Sequence, residues 1–228
     1  MVSKKDLLKK AKEIAEKKVV KKGEEVKIDF SDIKLFNKWV TTGIEVKDPG
    51  LKRYVNLDPV IVPKTFGRNQ STRFWKSKQH IVERLMNKIP TSGHKGKKHY
   101  WSSAEQIGEG HTLFMIIRKT LEEIERKTKM NPIEVIVRAV ENAAPREEVT
   151  TVQYGGIKHP KAVDTAPQRR IDLALRWMSQ GAFQKSNKSK RNIWQTLADE
   201  VVKAFNNDRQ STAITKKFET ERQAAASR

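Results

Sequence analysis

The sequence predicts a mainly α-helical protein: a bundle of about six helices with one protruding two-stranded β-hairpin and a partly extended, basic N-terminal extension. Three observations carry this expectation. From near Ser71 onward, apolar residues recur at helical spacing through most of the chain. The pattern breaks once, at VTTVQYGGIKHPKAV, where β-branched residues, Tyr154 and the Gly155-Gly156 pair take over. Positive charge is in large excess, with 47 Lys and Arg against 27 Asp and Glu and a formal net charge of +20.

Residues 1–22 hold nine Lys against Asp6, Glu13 and Glu16, with Leu7, Ala11, Ile14 and Lys18 at helical spacing and Gly23 as a stop. This basic amphipathic arm has a thin apolar stripe without Trp or Phe, which favours an RNA arm over a membrane helix. From 24 to 66 the pattern changes: Val26, Ile28 and Phe30 alternate with Lys27 and Asp29, and YVNLDPVIVPKTFG carries Pro59 and Pro63. Short strands and extended loop follow from this pattern, and they need a partner surface to be ordered. The expected division is therefore residues 1–65, a basic arm and extended segment, and residues 66–228, a helical nucleic-acid-binding domain with the hairpin near 147–165.

Within the helical domain, a first helix begins near Ser71 and places Phe74, Lys78, Ile81, Leu85 and Ile89 on one face before Pro90 stops it. The loop TSGHKGKKHYWSS follows. From His111, the residues Leu113, Ile116, Ile117, Leu121 and Ile124 fit a second helix. Asn131 caps a third, with Pro132 at its first position, Glu134 reaching back, and Ile133, Ile136, Val137 and Val140 as its buried stripe up to Pro145. After the hairpin, Thr165-Ala-Pro-Gln168 offers another capping box; Ile171, Ala174, Leu175 and Met178 point inward, and Gly181 is the expected stop. A further helix from near Ser189 gathers Ile193, Leu197, Val201 and Phe205. The last, about 211–226, has only Ile214 and Phe218 as apolar anchors, so it packs weakly or on RNA.

Composition narrows the class. With 36% hydrophobic and 32% charged residues a core is possible, but much of the surface must be ionic. No cysteine is present, so disulfides and thiolate metal sites are excluded, which fits an intracellular home without proving it. No apolar run approaches the roughly 18 residues of a membrane span. A compact protein with this surplus of cations repels itself unless a polyanion neutralises it, and nucleic acid leads over an anionic membrane surface.

Catalytic chemistry finds little support. The five histidines include His94 and His99 in a Lys-rich loop that disfavours a divalent cation, so no metal site is expected. Gly93 to Gly96 is too short for a P-loop, and Gly108-Glu-Gly110 is too little for a dinucleotide fingerprint, so no cofactor is expected. Glu122-Glu123 and Glu147-Glu148 read as ordinary solvated charges. The protein is expected not to be an enzyme. A metal-dependent nuclease and an architectural binder of duplex DNA are the rivals.

Basic groups are more informative. Arg68, Arg73, Lys76 and Lys78 meet no acid until Glu83. Lys95, Lys97 and Lys98 sit in a loop with Tyr100 and Trp101, rings suited equally to stacking on an unpaired base or to anchoring in the core. Arg146 precedes the hairpin; Arg169 and Arg170 open a helix, with Arg176 and Trp177 two turns on. Lys185, Lys188, Lys190 and Arg191 fall within seven residues, and Lys216 and Lys217 lie in the last helix. Cations at helix starts oppose the helix dipole, so an anion near both would explain them. No zinc-finger, RRM or basic-zipper pattern appears, and a distributed, irregular basic surface suits structured RNA.

The run NPIEVIVRAVENAAPREEVTTVQYGGIKHPKAVDTAPQRRIDLALRW, 131–177, resembles the universal small-subunit ribosomal protein seven family, called protein five in eukaryotes, in its archaeal form. LADEV at 197–201, Lys216-Lys217 and the Glu221-Arg222 region extend the likeness, and IKLFNKW and YVNLDPVIVPKTFGR resemble the family's archaeal and eukaryotic extension. Gly96-Lys97-Lys98 matches a turn in bacterial members but is followed here by an insertion to about His111. The resemblance implies a helical core with a protruding hairpin that binds the 3′ major domain of small-subunit ribosomal RNA and starts assembly of the subunit head beside neighbouring ribosomal proteins. It also implies that Tyr154, Gly155, Gly156, Lys158 and Lys161 lie near messenger RNA or exit-site tRNA. Arg169, Arg170, Arg176 and the 185–191 run would then meet ribosomal RNA.

Overall fold

The structure, a computed structural model, describes residues 33–95, 98–99 and 110–228. The expected basic arm of residues 1–22, the alternation at Val26, Ile28 and Phe30, and the loop residues Lys97, Tyr100 and Trp101 lie outside the described residues. So do the side chains of His94, Lys95, Lys98 and His99, whose backbone forms the short pair β3 (His94–Lys95) and β4 (Lys98–His99).

Among the described residues the bundle centres on the helices α3 (Gly110–Thr128), α4 (Pro132–Ala143), α5 (Pro167–Ser186) and α6 (Ile193–Phe205). Helix α6 is central and packs on α3, α4 and α5. Its buried face, Thr196, Leu197, Ala198, Val201 and Ala204, is small enough for three neighbours to approach. In α4 the expected stripe is buried, and Asn131 Oδ1 accepts from the Ile133 amide at 3.1 Å as the cap. In α5, Ile171, Ala174, Leu175 and Met178 are all fully buried.

The segment before the bundle is ordered by the bundle itself. Strands β1 (Lys34–Leu35) and β2 (Trp39–Val40) form a minimal antiparallel pair whose turn residues Phe36 and Asn37 have positive φ of 53° and 58°. Leu35, Trp39 and, from the one-turn helix α1 (Pro49–Lys52), Leu51 enter the same core, and the Phe36 ring meets Phe114 edge-on at 4.7 Å.

Five expectations are corrected. The helix expected from Ser71 is confined to α2 (Ile81–Met86); residues 68–70 and 75–78 are 3-10 turns, and Phe74 is 62% exposed rather than inward. Gln79 is extended and the Ile81 amide donates to Asn56 O at 3.1 Å, so a distant backbone carbonyl takes the bond a longer helix would need. Gly181 does not stop α5, which runs on to Ser186; it is where α7 (Thr212–Ala226) crosses, since an added Cβ would lie 2.7 Å from Thr212 Cβ. Ala166, not Thr165, caps α5 and makes no side-chain bond, while the capping box occurs at Asn192 and Gln195, so α6 begins at Ile193 rather than near Ser189. Phe218 is no anchor: α7 buries Ala213, Ile214 and Ala224, and Phe218 stays 44% exposed.

The hairpin joins β5 (Glu147–Tyr154) to β6 (Ile157–Asp164), in register from Glu147↔Asp164 to Tyr154↔Ile157. Gly155 and Gly156 have φ of 54° and 85°, the left-handed pair that a tight turn matched to strand twist requires. Eight-residue strands reach about 26 Å. Helix α7 packs against the root on β5, whereas the side chains toward the tip are exposed.

Candidate nucleic-acid interface

At the tip Tyr154 is 70% exposed, and Lys158 and Lys161 are exposed. Strand alternation places Lys158 and Lys161 on opposite faces of the ribbon, so both faces carry charge.

The first turn of α5 resolves the dipole problem with carboxylates from elsewhere in the chain. Arg169 Nε and Nη2 donate to the two oxygens of Glu148 at 2.6 and 2.8 Å, fastening the hairpin root to the helix. Arg170, mostly buried, donates from Nε to Pro145 O at 3.0 Å and from Nη2 to Asp48 at 2.8 Å. These two arginines, expected as RNA contacts, also hold the hairpin and the α1 loop on the bundle. Arg146, just before the hairpin, is exposed, and its amide donates to Glu221 Oε1 at 3.0 Å.

One turn on, Asp172 gathers three cations from two segments. Lys76 Nζ donates to it at 2.6 Å, the buried Arg84 at 3.2 Å, and Lys88 lies 3.6 Å away. Burial pushes the Asp172 carboxyl up, but the Lys76 hydrogen bond and the charges of Lys88 and Arg84 outweigh it and hold it below the usual range. Burial lowers the Lys88 ammonium; Asp172 opposes this while Lys76 and Arg176 add to it. Three cations around one carboxylate leave this notch positive, with Arg73 on its lining and Arg176 exposed nearby. Trp177, by contrast, packs partly buried against the core. Sequence reasoning missed Arg84, Lys88 and Asp172 as a unit. The available signal was Arg84 and Lys88 four residues apart, like charges on one helical side that call for a shared acid.

The segment of Arg68, Arg73 and Lys78 is exposed; Arg68 Nε reaches Thr65 O at 3.2 Å. In the 185–191 run, Lys185 bonds the fully buried Glu200 and Arg191 bonds Asp199, which Lys127 also engages, while Lys190 is exposed. Lys216 pairs with Glu219, and Lys217 donates to Asn142 O at 2.9 Å. Burial lowers the Lys217 ammonium; Glu221 opposes this, and Arg146 and Arg170 reinforce it. Lys217, Arg146, Arg170 and Arg138 line one cleft of about 670 Å³ whose acids include Asp48 and Glu141.

Glu122 and Glu123 are not free solvated charges. Glu122 pairs with Lys38 and Arg118, and Glu123, nearly buried, with Arg126 and Lys127. Among the described residues, no three His, Cys, Asp or Glu side chains converge as metal ligands. No described helix is long and apolar enough to cross a membrane.

This fold and these faces define a class: helical proteins that display a long exposed hairpin and a surplus of surface cations. Residues 51–228 match the family described as ribosomal protein S7p/S5e, and the chain belongs to that family. It is 50% identical over 196 residues to the small ribosomal subunit protein uS7 of Nanoarchaeum equitans, covering 86% of this chain and 99% of that protein. It is 48% identical over 192 residues to uS7 of Methanosphaera stadtmanae, covering 84% of this chain and 96% of that protein. To uS7 of Methanococcus vannielii it is 46% identical over 210 residues, covering 92% of this chain and all of that protein.

Proposed function

We propose that the protein is a non-enzymatic constituent of the small ribosomal subunit that binds the 3′ major domain of its ribosomal RNA and nucleates assembly of the head. The hairpin then extends toward messenger RNA and exit-site tRNA, with neighbouring ribosomal proteins against the remaining faces. The observation that carries this reading is end-to-end similarity to proteins named for the small ribosomal subunit, 99% of one relative at 50% identity. The physical support is a net charge of +20 spread over exposed sites such as Arg68, Arg73, Lys78, Arg176 and Lys190. Phosphate contacts of this kind position a folded RNA without reading its bases. Arg169, Arg170 and Lys217 act one step back, holding the elements that present those contacts.

The test is a salt titration of binding to a head-domain transcript, beside duplex DNA of equal phosphate count. Both affinities should fall steeply, by about 0.7 to 0.9 log units per contact per decade of salt. The transcript should keep a preference of about a hundredfold or more at physiological salt, a threshold set below the usual specific-to-nonspecific ratio of roughly a thousandfold and upward. Parallel curves without preference would reject the reading in favour of a generic polycation.

A further inference from the structure

We propose that residues 64–78 form a stacking platform for unpaired RNA bases, a base-contacting site within the ribosomal RNA reading on which this inference rests. Three aromatic rings stand in solvent here: Phe66 is 77% exposed, Phe74 62% and Trp75 39%. Each has a cation over it. Lys64 Nζ lies 5.1 Å from the Phe66 centroid, the Arg73 guanidinium 5.8 Å from Phe74, and Lys78 Nζ 4.4 Å from Trp75. The sequence between Asp58 and Glu83 contains no acid, so these cations have no carboxylate on their own segment.

The display is built rather than incidental. Phe66 holds a left-handed φ of 50°, a conformation bulky residues rarely adopt. It is held next to Thr65, whose amide and Oγ1 donate to Oε1 of the buried Glu83 at 2.8 and 2.7 Å. A buried carboxylate thus anchors the loop at the point where an aromatic side chain is turned outward. Strained conformations of this sort persist where the surrounding structure fixes them, and they concentrate at functional sites.

The occupant follows from chemistry. One cation per ring reproduces the one phosphate per base of a single strand, and exposed rings with basic neighbours bind such strands by stacking plus charge. Duplex RNA cannot use the rings, because its bases are already stacked. An acidic protein surface would satisfy the cations but leaves three ring faces without planar partners.

The experiment uses the full chain, an oligouridine of about twelve nucleotides, and a duplex RNA of equal phosphate count. Replacing Phe66, Phe74 and Trp75 together with Ala should weaken oligouridine binding tenfold or more, with the salt slope and duplex affinity unchanged, as loss of base stacking requires. Tyr at the same three positions should retain binding. Replacing Arg73 and Lys78 with Ala should instead lower the salt slope, by about 0.7 for each lost phosphate contact. Since all three rings are exposed, thermal unfolding should be unaltered. Oligouridine binding that is indifferent to the Ala triple would overturn the inference and leave a protein partner as the occupant. If that same variant and the parent both still prefer the head-domain transcript over duplex DNA, stacking fails while the ribosomal reading stands.

Discussion

Arg169 and Glu148 face each other in a two-pronged bond, Nε and Nη2 of the guanidinium on the two carboxylate oxygens, that joins the first turn of α5 to the first strand of the hairpin. The pair is partly solvated, so its worth to global stability is at most about 1 kcal/mol. Its effect is directional. Replacing Glu148 with Gln should leave the melting temperature nearly unchanged while speeding amide exchange along β5 and β6. Exchange rates at parental values would mean that packing of α7 on β5 alone sets the hairpin.

His80 should give the fold an acid-sensitive term. Its Nδ1 accepts from the Val82 amide at 3.2 Å to cap α2, which requires a neutral ring. Burial lowers its pKa from the ordinary 6.5 to about 4, with the Asp58 charge opposing in part. Between these values the unfolded chain holds the extra proton, so His80 stabilises fully above 6.5 and that contribution drains away as pH falls toward 4. The loss amounts to about 3 kcal/mol at roughly 1.4 kcal/mol per unit. Denaturant unfolding from pH 7 to 4, with His80→Asn as a cap that does not titrate there, measures it. A His80 resonance titrating near 6.5 would contradict the account.

Gly181 sets the approach of α5 and α7. An Ala there meets Thr212 at 2.7 Å and Glu200 Cδ at 3.2 Å, so Gly181→Ala should cost about 1 to 3 kcal/mol by overpacking, despite better helix propensity. Chemical denaturation checks it, and Thr212→Gly in the same chain should recover part of the loss. A stabilised Gly181→Ala protein would show that the two helices part freely.

Within the 185–191 run the residues should separate by role. Lys185 faces the carboxylate of Glu200, which is fully buried and also accepts from Ser211 Oγ at 2.8 Å and the Ala213 amide at 3.1 Å. Lys185→Ala should therefore cost about 1 to 3 kcal/mol of stability by weakening the solvation of a buried charge. Lys190→Ala should leave unfolding alone and reduce the salt slope of transcript binding by about 0.7 to 0.9. An identical profile for both variants in melting and titration would refute the division.

What could be read from sequence was what local rules determine. Asn131-Pro132 begins α4 because a cap and a fixed φ act within three residues, and Gly155-Gly156 turns the hairpin because both need positive φ. The inward faces of α4 and α5 follow from spacing alone. What failed depends on distant partners. The start of α2 is decided by Asn56 O, and Gly181 continues its helix because Thr212 needs the room. The tie of Arg170 to the α1 loop was not legible because Asp48, its partner, lies 122 residues away. Phe74 kept helical spacing with Ile81 and Leu85, yet the turns before Gln79 rotate it into solvent.

The hairpin tip buries no side chain and is exposed from Gln153 to Lys161. Stability and reach are therefore governed by different residues in this chain. Outside the turn glycines, side-chain substitutions such as those at Tyr154 or Lys158 are nearly invisible to the folding equilibrium, so selection on those positions can act on contact alone, without the compensating changes that a core residue such as Leu197 would demand.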